Sequence, residues 1–90
     1  MPTVHLLIKG KVQGVFYRKT AKEIAETEGI TGWVRNTGNG DVEVMAGGSE
    51  EALQAFIDWC HVGPVRAKVE SVAITHVPDQ LFETFEVKHG

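Results

Sequence analysis

The hydrophobic period of this chain changes back and forth along its length, and the order of those changes restricts the folds open to it. Thr3 to Lys9 alternates around Val4, Leu6 and Ile8, the period of a half-buried strand. A glycine-containing loop, Gly10 to Phe16, follows. Tyr17, Ala21, Ile24 and Ala25 then recur at helical spacing, with Lys19, Lys22, Glu23 and Glu26 on the other side. Gly29 is placed to end that helix in the left-handed region. Thr31 to Asn36 reads as a second strand, Thr37-Gly38-Asn39-Gly40 as a turn, and Asp41 to Ala46 as a third strand around Val42, Val44 and Ala46. Ser49 is positioned to cap a second helix whose first turn carries Glu50 and Glu51. Leu53, Phe56, Ile57 and Cys60 form its inward stripe, and Gly63-Pro64 stops it. Val69 to Val77 is a fourth strand in which Val69 and Val72 share a face only if a bulge intervenes. Pro78-Asp79 turns the chain, and Phe82 to Lys88 is a short last strand. The order β-α-β-β-α-β with an added C-terminal strand is that of the ferredoxin-like split βαβ sandwich. This is an α+β fold with two helices packed on one face of a mostly antiparallel sheet. Element order alone does not decide function.

Composition narrows the classes. Ninety residues are expected to form one domain over 1–90. Apolar residues are 42% and charged residues 23%, which places the chain among ordinary globular sequences. No apolar run approaches a membrane span, and the start, Met1-Pro2-Thr3-Val4-His5, lacks the basic and apolar regions of a signal peptide. A cytoplasmic monomer without a membrane partner is therefore expected. Cys60, the only cysteine, permits no intrachain disulfide and no cysteine-based zinc site, and its place on the apolar stripe marks it as a small buried hydrophobe. His5, His61, His76 and His89 show no zinc-like spacing, so no metal or other cofactor is expected.

Charge says more through its distribution than its total. The net charge of −3 disfavours nucleic acid as a partner. Yet Lys9, Lys11, Arg18, Lys19 and Lys22 all precede the first acid, Glu23, and all twelve carboxylates lie at Glu23 or later. Five cations without an anion are either a solvated basic stretch, the reading that charge alone favours, or a local attractor for a small anion. The segment Gln13-Gly14-Val15-Phe16-Tyr17-Arg18 joins a strand to a helix start. The first turn of a helix leaves backbone N–H groups without partners, and these, with the positive end of the helix dipole, suit a phosphate. Gly14 would let successive N–H groups curl toward one point, and the Arg18 fork could bind two phosphate oxygens, although strand-to-helix loops with a glycine and an arginine are common and most bind nothing. The segment is neither a Walker loop, which needs glycines where this chain has Gln13 and Arg18, nor a dinucleotide fingerprint.

Gly10-Lys11-Val12-Gln13-Gly14-Val15-Phe16-Tyr17-Arg18 resembles the first signature of the acylphosphatase family. Gly32-Trp33-Val34-Arg35-Asn36, followed by Gly40-Asp41-Val42, resembles the second, and Gly63-Pro64 with Ala67 and Val69 a third recurrent stretch. The two main signatures have the family's order and separation, and the resemblance covers essentially the whole chain. It implies the same ferredoxin-like sandwich and cleavage of a carboxyl–phosphate bond to a carboxylate and inorganic phosphate. It also implies that Arg18, with the loop Gln13, Gly14, Val15, Phe16 and Tyr17, binds the phosphoryl group, while Asn36 orients the attacking water. The partners it implies are small acyl phosphates and inorganic phosphate. The chain ends Val87-Lys88-His89-Gly90 where relatives carry an aromatic residue or an arginine, a departure expected to leave the site untouched.

Such a reaction needs few groups. The carboxylate leaves readily, so catalysis is mainly positioning and charge stabilisation. Arg18 and Asn36 must then sit at the same end of the sandwich. The acyl part is expected to hang into solvent, giving broad acyl tolerance. Thr37 and Asn39 are expected to serve the turn, with Thr37 a possible aid to the water. Lys11 and Lys19 are expected to steer anions, and Phe16 and Tyr17 to pack in the core or loop. A binding module without catalysis, an RNA-recognition domain and a metal carrier share the element order. The third strand, Asp41-Val42-Glu43-Val44-Met45, lacks the aromatics of the RNA reading, and the metal carrier wants paired cysteines.

Overall fold

In the computed structural model, which describes residues 1–89, alternation is used as the sequence predicts. Val4, Leu6 and Ile8 of β1 (Thr3–Lys11) turn inward and are fully buried. β3 (Val42–Gly47) contributes Val42, Val44 and Ala46 to the same face, and β2 (Thr31–Asn36) contributes Val34. Two helices cover that face. α1 (Tyr17–Glu28) buries Tyr17, Ala21 and Ala25, and α2 (Glu50–Val62) buries Leu53, Phe56, Ile57 and Cys60. β4 (Lys68–Val77) and β5 (Phe85–Lys88) are the edges of one five-stranded sheet ordered β4-β1-β3-β2-β5. The architecture is the expected ferredoxin-like sandwich.

Three pairings are antiparallel to their neighbours, β1 with β3, β1 with β4 and β2 with β3, whereas β5 runs parallel to β2. It follows that β1, β2 and β5 all point the same way. Their C-terminal ends converge on one end of the sheet, where the chain leaving β1 enters α1.

Element ends differ in detail from the sequence reading. β1 continues through Gly10 and Lys11, which pair with Val69 and Lys68, so the connecting loop is Val12–Phe16 rather than Gly10–Phe16. The register shifts between Lys9 and Gly10, whose partners are Ser71 and Val69, leaving Glu70 as the extra residue of β4. This is the bulge that lets Val69 and Val72 both pack on the core. It brings the backbones close. Gly10 has φ 132°, and a Cβ there would lie 2.1 Å from the Lys68 carbonyl oxygen. β5 begins at Phe85, later than the expected Phe82.

Aromatic contacts tie the layers together. The Phe56 and Phe85 rings meet edge to face at 5.8 Å, and Tyr17 lies 5.2 Å from Trp59. The Tyr17 hydroxyl donates to the Cys60 carbonyl at 2.7 Å. Burial pushes the Tyr17 phenol far above its ordinary range and the Cys60 thiol up to about 12. Both are neutral packing residues, as expected for Cys60 and Tyr17. Phe16 departs from the expected packing role, because it is 68% exposed.

Candidate active site

The loop after β1 curls because its backbone alternates in hand. Gly14 has φ 74° and Phe16 has φ 65°, while Val15 and Tyr17 keep the ordinary sign. Such alternation turns successive N–H groups toward one side, forming an anion-binding nest. Phe16 is the only non-glycine residue with positive φ among the described residues. It is also the residue preceding the first turn of α1, and it offers no side-chain cap. The first turn of α1 holds no acid. α2 is a useful contrast. There Ser49 accepts from the Ala52 N–H at 3.1 Å, and Glu50 and Glu51 stand in the first turn. The positive end of α2 is answered within the chain, whereas that of α1 meets neither a side-chain cap nor an acid in its first turn.

A cavity of about 360 Å³ opens at this helix start. Gly14, Phe16, Tyr17 and Arg18 line it from the loop and first turn, and Asn36 lines it from the end of β2. The two sequence signatures therefore meet in space, at the end of the sheet where β1, β2 and β5 terminate. Gln13 and Val15 do not line the cavity. Val15 is buried in the core. The Gln13 amide nitrogen donates to the carbonyls of Thr37 at 2.9 Å and Asp41 at 2.7 Å. Gln13 thus fastens the loop to the turn that follows Asn36, and any contact from Gln13 or Val15 to a ligand would run through the backbone.

Asn36 carries an unusual feature. Its side-chain oxygen is buried yet accepts no hydrogen bond from the described residues. A buried acceptor without a partner is costly and calls for an explanation. Thr31 Oγ1 is the other such atom among the described residues, and it does not line the cavity. Thr37, in contrast, is occupied by the turn, where its hydroxyl bonds Asn39 Oδ1 and accepts from the Asp41 N–H at 3.1 Å.

The cations are sorted by the fold. Arg18, Lys19 and Lys22 line the cavity. Lys9 instead pairs with Asp41 at 3.1 Å, and Lys11 lies away from the lining. Lys22 donates to Glu26 at 3.1 Å and to the Phe85 carbonyl at 3.2 Å. The C-terminal segment corrects one expectation. Arg18 Nη1 donates to the Lys88 carbonyl at 3.1 Å and lies 3.4 Å from His89 Nδ1, and Val87 and His89 line the cavity. The residues that depart from the family pattern do reach the site, because β5 is parallel to β2 and ends beside Asn36 (Gly90 lies outside the described residues). No sequence signal marked His89, since its place depends on that parallel pairing.

Comparison with known proteins supports the same reading. The sequence profile of the family described as Acylphosphatase matches residues 4–87. An acylphosphatase of Marinobacter nauticus is 48% identical over 86 residues, spanning 94% of each chain. One from Acidovorax sp. (strain JS42) is 51% identical over 76 residues, covering 84% of this chain and 78% of its own. Among solved structures, the acylphosphatase of Bacillus subtilis superposes with a TM-score of 0.94 at 30% identity, over 98% of this chain and 99% of that one.

Proposed function

The chain belongs to the acylphosphatase family, and from that premise we propose how its residues carry out acyl-phosphate hydrolysis. The observation that supports the reading is one cavity lined by the uncapped start of α1, by Arg18 and by Asn36, whose buried amide oxygen has no partner among the described residues. Arg18 and the N–H groups of the loop from Gln13 to Tyr17 hold the phosphoryl oxygens. Donors aimed at developing charge lower the barrier by roughly 3–4 kcal/mol each. Asn36 accepts a hydrogen bond from the attacking water and orients it, a positioning role, since an amide is no base at neutral pH.

The water oxygen bonds to phosphorus while the bond from phosphorus to the bridging oxygen breaks. The bonding pair leaves on the carboxylate. One proton of the water passes to a phosphoryl oxygen, so the products are a carboxylate and inorganic phosphate. A chain acting alone as one unit over residues 1–90, in the cytoplasm and as a monomer, completes the proposal.

Turnover of benzoyl phosphate with chelator present, by the wild type, Arg18→Ala and Asn36→Ala, tests it. Each substitution is expected to lower kcat/KM by about 10²–10³-fold or more while the fold is retained. Folded wild type without turnover would leave only an anion-binding module, and a drop in rate on chelation would bring in a metal.

A further inference from the structure

The cavity is larger than its phosphoryl end requires. At about 360 Å³ it falls within the range of small-molecule sites, roughly 300–1,000 Å³. Most of the surface it presents is apolar, and Val12, Phe16, Tyr17 and Val87 are among the residues that line it. Val12 and Tyr17 are themselves buried in the core. Phe16 is different. The residue is 68% exposed and lines the cavity, and its own backbone closes the nest. A left-handed conformation is costly for a bulky side chain and free for glycine. Nothing in the core uses this ring, so packing does not account for an aromatic residue here.

We propose that Phe16 is the specificity-determining residue for the acyl group, its ring covering an apolar acyl part while the phosphoryl end lies in the nest beneath it. The inference rests on the proposed function and replaces the expected indifference to the acyl group with a preference for aromatic or bulky aliphatic acyl phosphates. The rival source of recognition is charge. Lys19 and Lys22 also line the cavity and would favour an acyl part carrying a second carboxylate. Lys22 is already paired with Glu26 and the Phe85 carbonyl, which leaves Lys19 alone of the two lysines to set against the apolar wall.

Two stable isosteres separate binding from turnover: phenacylphosphonate for benzoyl phosphate and acetonylphosphonate for acetyl phosphate, each with a methylene in place of the bridging oxygen. Calorimetric Kd values are compared for the wild type, Phe16→Tyr and Phe16→Asn, the last because asparagine accepts left-handed φ without the ring. The wild type and Phe16→Tyr are expected to bind the phenacyl compound about tenfold or more tightly than the acetonyl one. In Phe16→Asn that ratio is expected to fall to within about threefold of unity. Damage to the nest would weaken both ligands alike and leave the ratio intact. A ratio unchanged in Phe16→Asn overturns the proposal, as does tighter binding of 3-carboxy-2-oxopropylphosphonate, the carboxylated isostere, than of the phenacyl compound by the wild type. Lost turnover with the binding preference intact would count against the hydrolytic reading alone.

Discussion

Gln13 shows how one side chain fixes the distance between two sequence motifs. Both of its partners are carbonyl oxygens, so the amide must present its nitrogen to Thr37 and Asp41. The loop that carries Arg18 is thereby docked on the turn that follows Asn36. Gln13→Ala is expected to cost roughly 1–3 kcal/mol of stability, through two lost bonds and a Thr37 carbonyl left to find another partner, the Asp41 carbonyl keeping its bond from the Thr37 N–H. It is also expected to lower kcat, because small displacements of reacting groups are costly. Denaturant titration and kcat on benzoyl phosphate check the two effects, and a variant with full stability and rate would contradict the docking role. Arg18 and Asn36 were legible from their motifs. Gln13 was legible as part of the loop but not as its fastening, since its partners are main-chain atoms of a distant turn that leave no mark in composition. Phe16 was misread as packing because an aromatic residue is usually buried, and only the backbone hand at that position puts the ring outside.

At the scale of elements, the two helices divide the work. α2 is capped by Ser49 and acidic in its first turn, whereas α1 starts without either, and that difference was visible in the sequence. The end of β1 was less so. Gly10 reads locally as the start of a loop, but the bulge opposite it in β4 draws Gly10 and Lys11 into the sheet. The phase of Val69 and Val72 pointed to the bulge without locating its partner. Gly10→Ala is expected to destabilise the protein by about 1–3 kcal/mol, from the positive φ and the approach to the Lys68 carbonyl. Thermal melting checks this, and an unchanged Tm would show that the β1–β4 contact relaxes freely. The last strand was foreseen as an element, but not its parallel pairing with β2, which no local pattern encodes. That pairing is what sets Lys88 and His89 against Arg18.

Over the whole molecule, the cavity and the His5–Glu43–Arg35 cluster are placed on different surfaces. The cavity occupies one end of the sheet, while the uncovered face carries Glu43 between His5, at 2.6 Å, and Arg35. The hydrogen bond from His5, then that from Arg35 and its charge, together hold the Glu43 carboxyl below its ordinary range despite partial burial. With a folded-state pKa below the unfolded one, the unfolded chain takes up the proton first as pH falls. The stability that Glu43 supplies is then complete above the ordinary glutamate pKa, about 4.3, and is lost as pH drops through the lower folded value. Glu43→Gln is expected to flatten that acid-side loss in a plot of unfolding free energy against pH. A curve with the same acid limb would assign the loss to other carboxylates.

The orientation shared by β1, β2 and β5 gathers a nest, an arginine and an asparagine at one end of the sheet, and the proposed hydrolysis rests on their division of labour. Inorganic phosphate binding by the wild type, Arg18→Ala and Asn36→Ala, measured beside benzoyl phosphate turnover, tests that division most directly. Arg18→Ala is expected to lose both binding and turnover. Asn36→Ala is expected to keep its phosphate Kd within about threefold of the wild type while kcat falls about a hundredfold or more. If Asn36→Ala lost phosphate binding in step with turnover, Asn36 would hold the phosphoryl group rather than the water, and the proposed roles would be wrong.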